Sequence, residues 1–251
     1  MAAEKKKRQA PLLREACVDS TNSLMKKLAL EGAAEGTVLL ARRQTGGRGR
    51  MERRFSSPEG GVYLSMLLRP RCTPEESLSL TPCAAVAAAR AVERLCGLCC
   101  GVKWPNDLLF EGKKLCGILC ESVFAGREQY LVLGLGLNVN TPAEAFPPEL
   151  RETAASLRDF VERELSVDEA AALLIEELDG MYSRWQEDRG AFLEEYRALC
   201  VNLGRSVSLI RNGAASPALA VDIDENYALV AEYPDGTREH ISYGEVSLRE
   251  G

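Results

Sequence analysis

The stretch Lys114-Leu115-Cys116-Gly117-Ile118-Leu119-Cys120-Glu121-Ser122-Val123-Phe124 is followed, across Ala125-Gly126-Arg127-Glu128, by Tyr130-Leu131-Val132-Leu133-Gly134-Leu135-Gly136-Leu137-Asn138-Val139. Two apolar runs of strand length around a short glycine-containing break predict a β-hairpin. Successive strand residues point to opposite faces, so Gly134 and Gly136 share one face. Glycines weaken a strand unless something must approach that face closely. A dinucleotide-binding fingerprint does not fit, because the third glycine is missing and Gly136 leads into Leu137-Asn138-Val139-Asn140-Thr141-Pro142, not a helix. A bare strand face beneath a bound ligand is the better reading.

Outward from this hairpin, the chain alternates helical and strand patterns. Asp19-Ser20-Thr21-Asn22 is a cluster of capping side chains ahead of Leu24, Met25, Leu28 and Leu30, with Gly32 as the stop. Strands are expected at Thr37–Ala41 and Gly61–Leu68, and one long alanine-rich helix over Glu75–Cys96. Between the first two strands, Arg42–Pro58 lacks periodicity and reads as a long loop. Asp168–Cys200 is helical in pattern, with Gly190 splitting it. Beyond Gly204 the runs Val207–Ile210, Ala218–Ile223 and Tyr227–Glu232, separated by Arg211-Asn212-Gly213, Asp224-Glu225-Asn226 and Pro234-Asp235-Gly236, predict a small β-barrel.

The 251 residues carry 31 Lys plus Arg against 37 Asp plus Glu, a net charge of −6, with one histidine, His240. That balance argues against a surface built wholly for nucleic acid. A single histidine excludes two-histidine zinc chemistry. Nine scattered cysteines suit a reducing compartment. Cys96-x2-Cys99 with Cys116-x3-Cys120 approaches a zinc-ribbon spacing, but small buried thiols explain the pattern better. No run is apolar enough to span a membrane, and the basic N-terminus lacks the apolar segment of a secretory signal. Lys5-Lys6-Lys7-Arg8 reads as a solvated tail, with a partner contact as the alternative.

Charge is distributed unevenly. Arg42–Arg54 holds six arginines and one glutamate, a local +5 in an acidic chain. Gly46, Gly47 and Gly49 let backbone approach a ligand, and Arg48 and Arg50 offer forked donors to phosphate or carboxylate. No Gly-Lys-Ser/Thr follows, so it is not a Walker loop; taken alone, it reads equally as a solvated arginine–glycine segment. Lys103-Trp104-Pro105-Asn106-Asp107 is a proline-pinned bend that alone reads as a turn with a packed tryptophan. Lys114, just beyond, sits at a strand mouth, where it serves either a ligand or as an ordinary edge charge.

Four segments, Asp19–Asn22, Gln44–Arg50, Lys103–Asp107 with Lys113–Leu119, and Gly134–Asn138, together resemble the biotin protein ligases in order and spacing. The resemblance spans roughly 12–200 and implies an α/β (α+β) fold: a mixed-sheet catalytic domain related to class II synthetases and lipoate ligases, plus a small C-terminal SH3-like β-barrel. The expected division is a basic tail over 1–11, a catalytic biotin/ATP-binding domain over 12–200 and the C-terminal domain over 201–251. The implied reaction is ATP-dependent: the carboxylate of biotin attacks the α-phosphorus, and biotinyl-AMP then passes biotin to a lysine of a biotin carboxyl carrier protein. The substrate's own carboxylate is the first nucleophile, so no catalytic histidine is needed, and magnesium enters with ATP.

Carried over to matching positions, the resemblance makes Arg48, Lys103 and Lys114 the catalytic candidates. Ser20, Thr21, Asn22, Gln44, Gly47, Arg48, Gly49, Arg50, Lys114, Gly117, Gly134 and Gly136 would bind biotin, the last three as a floor beneath it. Arg48, Arg50, Arg53, Phe55, Lys103, Asn106 and Asn138 would bind ATP or the adenylate, with Asp107 near magnesium but no direct metal motif. Phe55 stands where many family members have tryptophan. The arginine loop is expected to order on ligand binding, biotin first. The short stretch before Asp19 leaves no room for a DNA-binding domain, so no DNA partner or repressor role is expected. The expected setting is cytoplasmic, without membrane contact, as monomer or homodimer. A lipoate or octanoyl transferase and a non-enzymatic RNA-binding protein are the rival readings, separable by ligand competition and by salt-sensitive RNA affinity.

Overall fold

The computed structural model describes residues 10–125, 128–211 and 214–248. The Lys5–Arg8 tail, Gly126-Arg127 of the expected hairpin turn and Asn212-Gly213 of a later turn lie outside the described residues.

In chain order, β1 (Leu12–Glu15), α1 (Thr21–Leu30), β2 (Val38–Ala41) and β3 (Gly61–Leu68) precede α2 (Pro74–Ser77) and α3 (Leu80–Cys96). Next come β4 (Gly101–Lys103), β5 (Asp107–Phe110), β6 (Lys113–Ala125) and β7 (Glu128–Asn138). The sheet order is β1-β2-β3-β7-β6-β5-β4. It is mixed: β1 and β2 are parallel, and the other neighbours antiparallel. The expected hairpin is its centre, with Gly117 opposite Gly136 and Leu119 opposite Gly134.

Strand periodicity sorts side chains into two layers. Val38, Leu40, Val62, Leu64, Met66, Leu68, Leu131, Leu133, Leu135 and Leu137 face one core, shared with α3 and with α5 (Val167–Glu187). On the other face, Leu39, Leu67, Tyr130 and Val132 pack against Met25 and Ala29 of α1. The small side chains of Ala84, Ala85, Val86, Ala87 and Ala88, all essentially buried, let α3 lie close to its neighbours. Burial pushes the thiols of Cys83, Cys100 and Cys120 up to about 12, so they pack as small apolar groups. Among the described residues no group of three or more His, Cys, Asp or Glu is placed to hold a metal.

After α4 (Arg158–Val161) and α5, α6 (Leu193–Leu199) leads to a second sheet of β8 (Ser206–Arg211), β9 (Ala214–Ile223), β10 (Leu229–Glu232), β11 (Arg238–Ile241) and β12 (Glu245–Leu248). Its order is β11-β10-β9-β8-β12, antiparallel throughout. The only histidine, His240, sits on β11 with Nδ1 2.6 Å from Asp224 Oδ2. No helix among the described residues is long and apolar enough to cross a membrane.

The second sheet is consistent with the small barrel expected, though not closed: β11 and β12 are edges that do not pair with each other, and these two polar strands escaped the periodicity reading. Other expectations need correction. The helix expected over Glu75–Cys96 is two helices. Pro82 has no N–H to donate to the carbonyl four residues back, which breaks the run at Leu78-Ser79. The arginine segment is a long loop as expected, and it carries a 3-10 turn over Arg50–Glu52 and bridges joining Val18 to Gln44 and Arg48 to Arg54. Strands β1, β4 and β5, four residues or fewer, were too short to show a period.

Candidate active site

The α1-side face of the sheet, the arginine loop, the β4–β5 turn and the edge of the second sheet enclose a cavity of about 700 Å³. Its lining carries seven cations, Arg48, Arg50, Arg53, Arg54, Lys103, Lys114 and Arg205, and one carboxylate, Asp107. The imbalance gives the cavity a positive potential that suits an anionic ligand. A hollow of about 790 Å³ between the ends of β1–β3 and the start of α5 contains none of the residues selected from the sequence, and its Arg14 already pairs with Asp168 at 2.9 Å.

At one end lie neutral polar groups from α1. Ser20 caps the helix, its Oγ accepting from Ser23 N. Thr21 donates through both N and Oγ1 to Gln44 Oε1, at 2.8 and 3.1 Å, while Gln44 Nε2 donates to Ser57 Oγ at 2.8 Å. Asn22 is held on three sides: Nδ2 donates to Leu119 O and Glu121 Oε2, and Oδ1 accepts from Ser65 Oγ at 2.5 Å. These bonds fix the rotamers before any ligand arrives.

Two side chains lie close against the glycine face. A Cβ at Gly134 would fall on the Asn22 carboxamide, and one at Gly136 on the Phe55 ring. At Gly117 the added carbon would lie 2.9 Å from the same ring. The glycines expected to lie beneath a ligand line the cavity and also seat these two side chains, since only glycine lets a carboxamide and a phenyl ring approach the strand backbone so closely. Phe55 in turn meets Tyr63 edge-on at 6.5 Å and lies 5.7 Å from Lys114 Nζ.

Glu121 organises the cations on this side. It accepts from Lys26 Nζ at 2.6 Å and Asn22 Nδ2 at 2.9 Å, with Arg48 Nη2 3.4 Å away. Burial pushes its carboxyl up, but the bonds from Lys26 and Asn22 and the charges of Lys26 and Arg48 outweigh that and hold it below its ordinary value. The resulting stability is complete above the unfolded-state pKa of about 4.3 and is lost as pH falls through the depressed native one. Glu121→Gln is therefore expected to flatten this part of the acid-unfolding profile, measured as the denaturation midpoint against pH; an unchanged slope would refute the pairing.

The middle of the cavity is the β4–β5 turn, Lys103–Asp107, whose Trp104–Pro105 bond is cis. Asn106 ties it to β6 and to the arginine loop. Its Nδ2 donates to Ile118 O at 3.0 Å, and its Oδ1 accepts from Arg50 Nη1 at 3.1 Å. Lys114 Nζ lies 2.7 Å from Asp107 Oδ1. The second sheet grips the same turn: Trp104 N donates to Asn202 Oδ1 at 2.7 Å, Trp104 Nε1 to Tyr227 O at 3.0 Å, and Arg50 Nη2 to Gly244 O at 3.0 Å.

Every residue selected from the sequence except Gly47 lines this cavity; Gly47 is buried behind it, where a Cβ would strike Phe55 O. Sequence reasoning missed Glu121, which reads as one polar residue in a strand, and an apolar lobe of Phe146, Leu150 and Ala154 beside Asn138. There Asn138 Nδ2 donates to Ala155 O at 3.1 Å, and its Oδ1 is buried without a partner. It also missed Arg205, Gly244, Val246 and Ser247, which only folding brings to the cavity.

The site is thus a cation-lined cavity on a mixed sheet, capped by a second β-sheet, in an α/β protein. Residues 15–138 match the biotin/lipoate A/B protein ligase family, and 203–249 match the biotin protein ligase C-terminal domain. The chain is 31% identical over 234 residues to the biotin--[acetyl-CoA-carboxylase] ligase of Mycobacterium tuberculosis, covering 90% of this chain and 85% of that protein. With the Paracoccus denitrificans protein of the same name it shares 31% over 241 residues, covering 91% and 96%. The bifunctional ligase/repressor BirA of Bacillus spizizenii is 40% identical over 148 residues, 58% of this chain; the match spans 46% of that longer protein. The structure of the Aquifex aeolicus biotin protein ligase in complex with biotin and ATP superposes with a TM-score of 0.82 at 28% identity, covering 96% and 99% of the two chains. The chain belongs to the biotin protein ligase family.

Proposed function

We propose that the protein is an ATP-dependent ligase that activates biotin to biotinyl-AMP and transfers it to a lysine of a biotin carboxyl carrier domain of a biotin-dependent carboxylase, in the cytoplasm. The observation that carries this reading is that one cavity combines a set of neutral polar side chains, Ser20–Asn22 and Gln44, with seven lining cations. A neutral cyclic urea with an acidic tail, together with a polyphosphate, matches that combination. The rival linear acyl chain has no use for the polar set.

In this reading the carboxylate of biotin attacks the α-phosphorus, the bond from phosphorus to the bridging oxygen breaks, and pyrophosphate leaves. No side chain removes a proton in that step. Lys114, oriented by Asp107, meets the carboxylate and the acyl-phosphate; Lys103 draws charge from the phosphates; and Arg48 closes over the adenylate with Gly47, Gly49, Arg50 and Arg53. Ser20, Thr21 and Gln44 face the ureido ring, while Asn22 sets the wall from its seat on Gly134. Phe55, seated on Gly117 and Gly136, offers an apolar surface to the ligand. The orphaned Asn138 Oδ1 is an acceptor suited to the adenine amino group, beside the Phe146 and Leu150 lobe.

Magnesium fits as part of the nucleotide substrate. The lining has one carboxylate, Asp107, already beside Lys114, so phosphate oxygens and water would supply most of its ligands, and its charge would offset that of the triphosphate. The expected result is biotin-dependent ATP/pyrophosphate exchange, followed by transfer of label to an isolated carrier domain. Exchange driven by lipoate and not biotin, or no exchange at all, would overturn the reading.

A further inference from the structure

The second sheet supplies a cation to the cavity that the activation step can use. Of the seven cations in the lining, Arg48 lies beside Glu121 and Lys114 beside Asp107, Arg54 donates to Thr45 O, and Arg53 also has a partner. Arg50 is tied to Asn106 and Gly244. Lys103 and Arg205 differ: among the described residues neither side chain has an ion pair or a hydrogen bond. The two are mechanically linked. Arg205 N donates to Asn202 O at 3.1 Å and Arg205 O accepts from Ala220 N at 3.0 Å, which fixes its backbone at the mouth of β8. Asn202, wholly buried, uses its Oδ1 to hold Trp104 N, the residue after Lys103. One short chain of hydrogen bonds thus sets both uncompensated cations relative to each other in the cavity wall.

We propose that Arg205 binds the β- and γ-phosphates of ATP and neutralises the charge that builds on the departing pyrophosphate. The inference rests on the ligase reading and deepens it. The densest negative charge of a biotin–ATP pair belongs where the protein has left positive charge unpaired, and a guanidinium presents the forked donors that phosphate oxygens accept. As the bond between the α-phosphorus and the bridging oxygen breaks, its electron pair moves onto pyrophosphate, and Arg205 strengthens its hold in that step. Transfer of biotin from the adenylate to a lysine involves no pyrophosphate, so Arg205 has no part in it.

The test separates the two half-reactions. Arg205→Ala is expected to lower ATP/pyrophosphate exchange by about 10²-fold and raise the KM for pyrophosphate at least tenfold. Biotin affinity and transfer from supplied biotinyl-AMP to a carrier domain should stay within about twofold of wild type, a split that a merely structural role would not produce. Arg205→Lys, which keeps the charge but loses the fork, should recover part of the exchange. An unchanged pyrophosphate KM would overturn the assignment, as would equal losses in both half-reactions. Absence of exchange in the wild-type protein would instead overturn the ligase reading itself.

Discussion

Replacing Lys103 with alanine is expected to reduce biotin-dependent ATP/pyrophosphate exchange by about 10²–10³-fold, with biotin affinity kept within about twofold. Lys103 ends β4, directly opposite Asp107 across the turn, and its backbone is held by the Asn106 N to Lys103 O bond of 3.2 Å. The turn owes its shape to Asn106, Trp104 and Asn202, not to the lysine side chain, so alanine removes a charge from the cavity and leaves its walls in place. A preorganised cation acts where charge develops without reorganising during the reaction, which is why the loss should fall on turnover and not on biotin binding. Exchange within threefold of wild type would remove Lys103 from the mechanism.

Arg48→Ala should have a comparable effect with a different signature. Arg48 sits between Gly47 and Gly49, and its side chain is 48% exposed, 3.4 Å from Glu121 Oε1. A half-exposed ion pair of this kind contributes little, on the order of 1 kcal/mol or less, so the guanidinium is readily recruited by a phosphate. The expected outcome is adenylate formation slowed by about 10²-fold and biotinyl-AMP released faster, read by single-turnover kinetics and by chase of labelled adenylate. Wild-type retention together with a wild-type rate would exclude it from both roles.

The central hairpin was readable because both its strands are long and apolar enough to leave one interpretation, and the glycine pair marked the correct face. What the glycines serve was not readable. Asn22 and Phe55 are 112 and 81 residues away from Gly134 and Gly136 in the chain, and nothing local tells a ligand from a side chain as the group that needs the space. The resemblance to a known family supplied the mixed sheet, which strands as short as β1 and β4 could not announce by period. Glu121 and Arg205 escaped for one physical reason: a charged residue in a strand or at its mouth looks like any solvated one until folding places it against other charges.

The grip of the second sheet on the Lys103–Asp107 turn bears on how this chain can be divided. Trp104 is 2% exposed, with its indole N–H bonded to Tyr227 O, while Tyr196 is fully buried and meets Tyr227 edge-on at 5.7 Å. A cut near residue 200 would therefore run through an aromatic seam. The N-terminal piece would expose an indole and leave the Trp104 amide without its acceptor, and the C-terminal piece would lose the lid over Tyr227. For anyone wishing to permute, split or shorten this protein, the contacts of Trp104 and Tyr196 with Tyr227 argue against a breakpoint near residue 200.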